Sequence, residues 1–575
     1  MSAPRVTGPR GASAPHAADL AIVGGGSVAV SFLYQFLLAL DPAHRAPLAI
    51  ALYEPQAEPG PGGAYQDDLP SNLLNIPAGN MSARADQRLD FVEWLRAQDP
   101  AWLRARGADT IAPSDFLPRP LFGAYMRAVY ARCRELAAAL GIALTHVQSR
   151  VRRLAPQPGG GVRIEAEQDA PCLARYAVLC NGNLPSQAFP QLQDAPGYFN
   201  SPYPVHALAA GIAADAPVCV VGTSLSAVDA IAALRQADHR GPILCVSRNG
   251  RLPAVRSPHN RTPETLRQLS PDAVPQLAAR HGGELSLETI VAALKEEVQA
   301  LGGSLDAEDV LGMAGDARAA LDAEIRRSGQ AARPWQAVAA ATNAAVDRIW
   351  HLMPDAERGR FQSQWRSLWM ARRATFPMRN ALKLQALFQR GQLQVQGGYL
   401  DSRHDAASGL FHTRLRDGAG QVVTHASRYL INATSFSVDT PRARDPLVSA
   451  LLDEGHAQPD PYGGLALDYG TGCLKNARGA IEPDISVLGS LAGGTYFWTT
   501  SMDVNARLAL DQARRIAAAL ARPATGPDSP GDSPFLAKWT GHRPTRPAPA
   551  ASSWPRSDDP ADPKCLPRQP AGPGC

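Results

Sequence analysis

The chain has 575 residues, more than one ordinary hydrophobic core encloses, so two or three compact units of about 100 to 250 residues each are expected. Its 45% apolar and 19% charged residues are typical of a soluble globular protein, and a net charge of only +4 lacks the basic footprint of a nucleic-acid binder. The eight cysteines include no CxxC pair and no grouping with histidine at metal-ligand spacing, which argues against a metal centre or a disulfide-reductase mechanism. Cys180, Cys219 and Cys245 lie inside apolar runs and read as buried thiols.

Residues 1–18 are rich in Pro, Gly and Ala without a signal-peptide core, and read as a disordered tail. The apolar run from Val28 to Leu40 is too short to span a bilayer, so no membrane role and a cytoplasmic setting are expected. The strand pattern ADLAIV runs into three glycines and then into the helical pattern SVAVSFL. Gly24, Gly26 and Ala29 fit G-x-G-x-x-A between strand and helix, with Ser27 opening the helix. Gly24 permits a tight turn, Gly26 lets a diphosphate reach the backbone, and Ala29 lets helix and strand pack closely. The next strand, LAIALYEP, ends at Glu54, a carboxylate suited to a ribose diol.

APVCVVGTSLSAVDAIAAL repeats the device with Gly222, Thr223 and Ser224 before a helix that begins at Leu225 and Ser226. Its following strand, PILCVSRNG, offers Arg248 instead of a carboxylate, with Arg251 nearby, which favours the 2′-phosphate of NADPH over NADH. Residues 261–370 carry apolar residues at three and four spacing and read as a helical insertion, with TPET (Thr262–Thr265) and SLET (Ser286–Thr289) resembling helix caps. Trp335, Trp350, Trp365 and Trp369 within it read as helix packing. WMARRATFPMRN then places Arg372, Arg373 and Arg379 where paired guanidiniums suit a carboxylate. Short strands follow from about 391, the strand EPDISVLGS ends at Gly489, and a helix begins near Asp503. Residues 521–575 form a Pro-rich tail expected to be disordered, a candidate contact for a protein partner.

GGAYQDDLPSNLLNIPAGNMS, FLPRPLFGAYMRAVY and ARYAVLCNGNLP, together with GTSLSAVD and SVLGSLAGGTYF, resemble a family of flavoproteins that bind two dinucleotides. That family contains FAD-dependent urate hydroxylases and the aspartate N-monooxygenases that form nitrosuccinate, and the resemblance runs over about 19–520. It implies FAD on the first turn and NAD(P)H on the second. It implies further that Tyr65, Asn75, Ile76, Pro77 and Met81 line the flavin, and that Arg119 approaches the flavin or its phosphates. Val151 would present backbone to adenine, Gly489 would meet the flavin nucleotide, and Asn181 and Gly182 would lie where a strand crosses between domains, as would LINATSF (430–436). Arg373 matches one of the family's arginines, whereas Arg372 stands where the family has histidine and Thr375 where it has a second arginine.

The fold expected is thus α/β, with two Rossmann-like dinucleotide-binding domains, a helical insertion and disordered termini. The FAD unit comprises 19–200 and 430–520, the NADPH unit 201–260 and 371–429. Activity would be that of an NADPH-dependent flavin monooxygenase acting through a C4a-hydroperoxide, oxidising nitrogen on a small amine or carboxylate-bearing substrate with O2. The alternatives are a urate-type carbon hydroxylase, a reductase serving a partner oxygenase, and a flavin-binding scaffold. No side chain is singled out as catalytic acid or base, since the cofactor does the chemistry. His206 and His404 read as loop residues.

Overall fold

A computed structural model describes residues 16–41, 47–261, 265–313, 315–434 and 436–521. The first sheet is built on β1 (His16–Val23), whose neighbours are β2 (Ala49–Tyr53) on one side and, beyond it, β3 (Ala143–Val147), all parallel. An antiparallel ribbon, β4 (Val151–Pro156) and β5 (Val162–Ala166), leads into β6 (Cys172–Leu179), which lies parallel to β1 on its other side. The register sets Val23 opposite both Tyr53 and Leu179, so the strand ends that precede the glycine turn finish level. The apolar stretch Leu20 to Val23 is fully buried because helices cover both faces of a parallel sheet. One cover, the helix Ser27–Ala39, presents Phe32, Leu33 and Phe36 to the core and packs on the helices Arg119–Ala139 and Met502–Leu520.

The second sheet is wholly parallel. It takes β7 (Tyr198–Phe199), β8 (Val218–Val221), β9 (Ile243–Val246), β10 (Leu393–Gln396) and a strand returning late in the chain. Between β10 and that return runs an antiparallel meander of β11 (Tyr399–Asp405), β12 (Leu410–Arg416) and β13 (Val422–Ser427). The returning strand is β14 (Tyr429–Asn432), giving the order β10-β9-β8-β14-β7. The chain then completes the first sheet with β15 (Cys473–Lys475) and β16 (Ile481–Val487), the latter parallel to β6.

The observed boundaries differ from the expected ones in three places. β1 begins at His16, inside the expected tail, because β6 starts at Cys172 and pairs with that residue. β7 and β14 are strands of the second sheet, so that unit reaches back to Tyr198 and on to Asn432, past the boundaries expected at 200 and 430. The insertion's last helix runs to Arg373. Ser286 does cap the helix Leu287–Ala300, accepting from the Thr289 N–H at 3.1 Å. The expected cap at Thr262 and the tails 1–15 and 522–575, with Cys565 and Cys575, lie outside the described residues. The six described cysteines are free and buried, and among the described residues no helix is long and apolar enough to cross a membrane.

Candidate functional site

The first glycine turn is held by the strands around it. Gly24 adopts φ +98° and donates its N–H to the Tyr53 carbonyl at 2.8 Å; a Cβ there would collide with the Cys180 carbonyl oxygen, so only glycine fits. Gly25 donates to Glu54 Oε2 at 2.8 Å while Gln56 N–H donates to Oε1 at 2.9 Å, which fixes the carboxylate at the strand end. The Gly60 N–H bonds the Gly25 carbonyl at 2.7 Å and brings Gly62 backbone against Gly26. Gly26 caps the helix Ser27–Ala39 without any side-chain cap or acidic residue in the first turn. The N–H groups of Ser27, Val28 and Ala29 find no acceptor among the described residues. A positive helix end bare of side chains results, which is an anion cradle.

Around the cradle the chain leaves space. A Cβ on Gly63 or Gly182 would meet nothing within 4 Å, and one on Gly489 would meet only Val28, at 3.8 Å. Beside Gly182, Asn181 Oδ1 is buried with no hydrogen-bond donor among the described residues. A trough edged by glycine, holding an orphaned acceptor, a fixed carboxylate and unpaired N–H donors, fits the diphosphate and ribose of FAD.

The second turn copies the first atom for atom at its entry. Gly222 has φ +122°, donates to the Val246 carbonyl at 2.7 Å, and a Cβ on it would strike the Ala433 carbonyl oxygen. Ser224 takes the helix-cap position before Leu225–Gln236, again with no side-chain capping bond, so Leu225 and Ser226 open a second uncapped end. Thr223 donates its hydroxyl to the Arg251 carbonyl at 2.6 Å and lies 3.0 Å from Ser247 Oγ, pinning the strand-end loop against the turn. Arg248 stands exposed on that loop.

Where the two units meet, Arg119 donates to the Leu73 carbonyl at 3.1 Å and to Asp229 Oδ2 at 3.2 Å, with Tyr203 hydroxyl donating to the same oxygen at 2.6 Å. The Arg119 guanidinium, expected at the flavin or its phosphates, therefore joins the first unit to the helix that follows the second turn. Tyr65 packs edge-on to Phe122 at 4.8 Å. Desolvation first, then Asp503, raises its pKa, with Arg119 opposing. Asn75, Ile76 and Pro77 are half-buried on a segment fixed by Leu74 and Ala78 N–H bonds to Leu117 and Asp115 carbonyls. Met81 is 1% exposed and packs in the core of the first unit. Val151 is buried at the start of β4.

The three expected substrate arginines part company. Arg372 is consumed: Nε donates to the Val310 carbonyl, and Nη2 to the Asp309 carbonyl and to Glu324 Oε1, each at 2.7 Å. Glu324 also pairs with Arg333 at 2.6 Å, so Arg372 holds the insertion together. Arg379 is exposed, and its charge falls on Lys383. Arg373 is buried, donates to Asn343 Oδ1 at 2.5 Å and lies 5.3 Å from the Trp498 ring centroid.

Beside it the structure brings a residue that sequence reasoning missed. Arg256 donates from Nε to Thr375 Oγ1 at 3.0 Å and lies 5.6 Å from the Phe116 ring centroid. Desolvation pushes both guanidiniums down to about 10, and for Arg373 the like charge of Arg256 adds to it while Asp503 opposes. Among the described residues neither is in an ion pair. Like charges brought together away from water with no ion pair are costly, and an anion reaching them would offset the cost. Asn343 donates to Asp503 Oδ2 at 2.8 Å, setting a carboxylate near the same place.

An aromatic wall closes the neighbouring side. Trp350 donates Nε1–H to the Gly494 carbonyl at 2.7 Å and stacks on Phe497 at 4.8 Å, with Phe361 at 5.6 Å from Phe497. Phe497 has φ +64°, a strained conformation for a bulky residue, held by these contacts. His206 is the second residue of the helix Val205–Gly211 and His404 sits in β11, not in loops. Among the described residues no cluster of His, Cys, Asp and Glu could hold a metal.

Residues 21–184 match the FAD-NAD(P)-binding family. No curated protein matches the chain by sequence. The ornithine hydroxylase of Pseudomonas aeruginosa in its reduced form is 13% identical, with a TM-score of 0.54 over 88% of this chain and 100% of that one. The ornithine N-hydroxylase of Kutzneria sp. 744, with reduced FAD, NADP+ and L-ornithine, gives 14%, 0.52, 88% and 100%. The L-lysine 6-monooxygenase of Pseudomonas syringae gives 16%, 0.52, 88% and 100%. Residues 21–184 are therefore similar to FAD-NAD(P)-binding proteins, and the chain has the fold of these ornithine hydroxylases and this lysine monooxygenase.

Proposed function

We propose that this chain is an NADPH-dependent flavin monooxygenase that oxidises the nitrogen of a small amine carrying a carboxylate or similar anion. The observation that carries the reading is the pair of buried Arg373 and half-buried Arg256, neither in an ion pair among the described residues, set where the first unit, the second unit and the insertion meet. The fold supports it, since similar structures act on ornithine and lysine.

FAD, when bound and reduced by NADPH, supplies the activation of O2 and the transfer of one oxygen atom. The chain's own contribution is placement. The N–H groups of Ser27, Val28 and Ala29 hold the FAD diphosphate, and Glu54 takes its ribose. Val151 backbone meets the adenine, Asn181 and Gly182 edge the trough, Gly489 faces the nucleotide, and Tyr65, Asn75 and Ile76 flank the ring system. Leu225 and Ser226 N–H groups hold the NADPH diphosphate, with Arg248 on its 2′-phosphate. Arg256 and Arg373 clamp the substrate anion, and Asp503, accepting from Asn343, attracts a substrate ammonium. Trp350, Phe361 and Phe497 keep water from the reacting atoms, which limits wasteful release of peroxide.

The test is a screen of small amino acids and amines against FAD-loaded protein, following NADPH, O2 and H2O2 together. A substrate that couples NADPH loss to product with little peroxide supports the reading. NADPH oxidation that never depends on a small amine, but rises with a protein electron acceptor, contradicts it.

A further inference from the structure

The insertion reaches the second nucleotide unit at one further point. Asn249, the residue after Arg248, donates from Nδ2 to Ser367 Oγ at 3.4 Å, which joins the loop carrying Arg248 to the start of the helix Arg366–Arg373. Among the described residues neither guanidinium has an ion-pair partner, and the charge acting on Arg366 is that of Arg248 itself. A five-residue π-helical stretch, Phe361–Trp365, immediately precedes Arg366, a distortion often found at functional sites. Trp365 leaves 47% of its surface in solvent directly beside it.

Position narrows the ligand. Arg248 lies just past the end of β9, the strand that follows the second turn and its helix, and Thr223 ties that loop to the turn through Ser247. In a unit of this topology, that strand end meets the adenosine ribose. We propose that Arg366, supplied by the helical insertion, is the second arm of a clamp with Arg248 on the 2′-phosphate, so that the insertion itself selects the phosphorylated dinucleotide. Two guanidiniums from different segments bracket one dianion, each offering charge-assisted hydrogen bonds. The inference rests on the NADPH reading above.

The test uses full-length, FAD-loaded protein and calorimetric binding of adenosine 2′,5′-bisphosphate against AMP, backed by anaerobic flavin reduction with NADPH and NADH. Arg366→Ala is expected to weaken the bisphosphate about tenfold, leave AMP within about twofold, and be partly rescued by Arg366→Lys. It removes an exposed side chain with no hydrogen bond among the described residues, and an unchanged melting temperature confirms that folding is intact. If Arg248→Ala discriminates between the two ligands and Arg366→Ala does not, the clamp is wrong while the NADPH reading stands. If wild type binds both ligands equally and is reduced equally by NADPH and NADH, the NADPH reading fails and the clamp with it.

Discussion

Arg256 donates to Thr375 across 3.0 Å, and through that bond a segment just past β9 delivers a second guanidinium to Arg373. Thr375 occupies the place where the sequence resemblance led us to expect an arginine. The charge is present after all, brought from elsewhere in the chain.

Losing either member should act on substrate and not on the cofactors. Arg256→Gln and Arg373→Gln are expected to raise the KM of an anionic amine by about tenfold to a hundredfold, the range of a charge-assisted hydrogen bond, while anaerobic flavin reduction by NADPH stays near wild type. Stopped-flow reduction and steady-state kinetics separate the two. Saturating substrate should also raise the melting temperature of wild type, and far less that of Arg373→Gln.

The cradle glycines differ in what they tolerate. Gly24→Ala should fail to give soluble protein, because φ +98° and the Cys180 carbonyl both oppose a Cβ. Gly26 is extended, and a Cβ there meets only Gly62 backbone, no closer than 3.4 Å, so Gly26→Ala should fold yet lose FAD affinity at least tenfold. Circular dichroism with FAD titration distinguishes the cases.

Removing Asp229 strands Arg119 between the two units. Asp229→Ala is expected to cost about 3 kcal/mol of stability, and Asp229→Asn less because Tyr203 keeps an acceptor. Denaturant unfolding measures both.

Lys383 gives a pH signature. Desolvation first, then Arg379 and Arg235, lower its pKa to about 8, against the attraction of Asp229. Between about 8 and the ordinary 10.5 the unfolded chain holds the extra proton, so stability should rise with pH across that window. Lys383→Met should flatten that rise, as read by melting temperature against pH.

The fold was legible in the sequence because its punctuation is forced. At Gly24 and Gly222 a carbonyl of the crossing strand excludes any side chain, and the flanking runs are apolar because both sheet faces are covered. The site was legible only in part. Arg372 and Arg373 are neighbours on one helix, where adjacent side chains point apart, so one meets Glu324 and the other Asn343. No periodicity distinguishes Arg256 in RLPAVRSPHN, whose partner lies more than a hundred positions on. Met81 stands in a flavin-like motif, yet its side chain packs inward. Strand ends and turns are local matters; which arginines converge is decided by the tertiary packing.

Anaerobic titration of the FAD-loaded protein with NADPH addresses the pairing of the two cradles most directly. The account predicts tight, stoichiometric FAD and complete bleaching of its yellow absorbance by NADPH. Protein that stays colourless after FAD loading, or bound flavin that dithionite bleaches and NADPH does not, would contradict it.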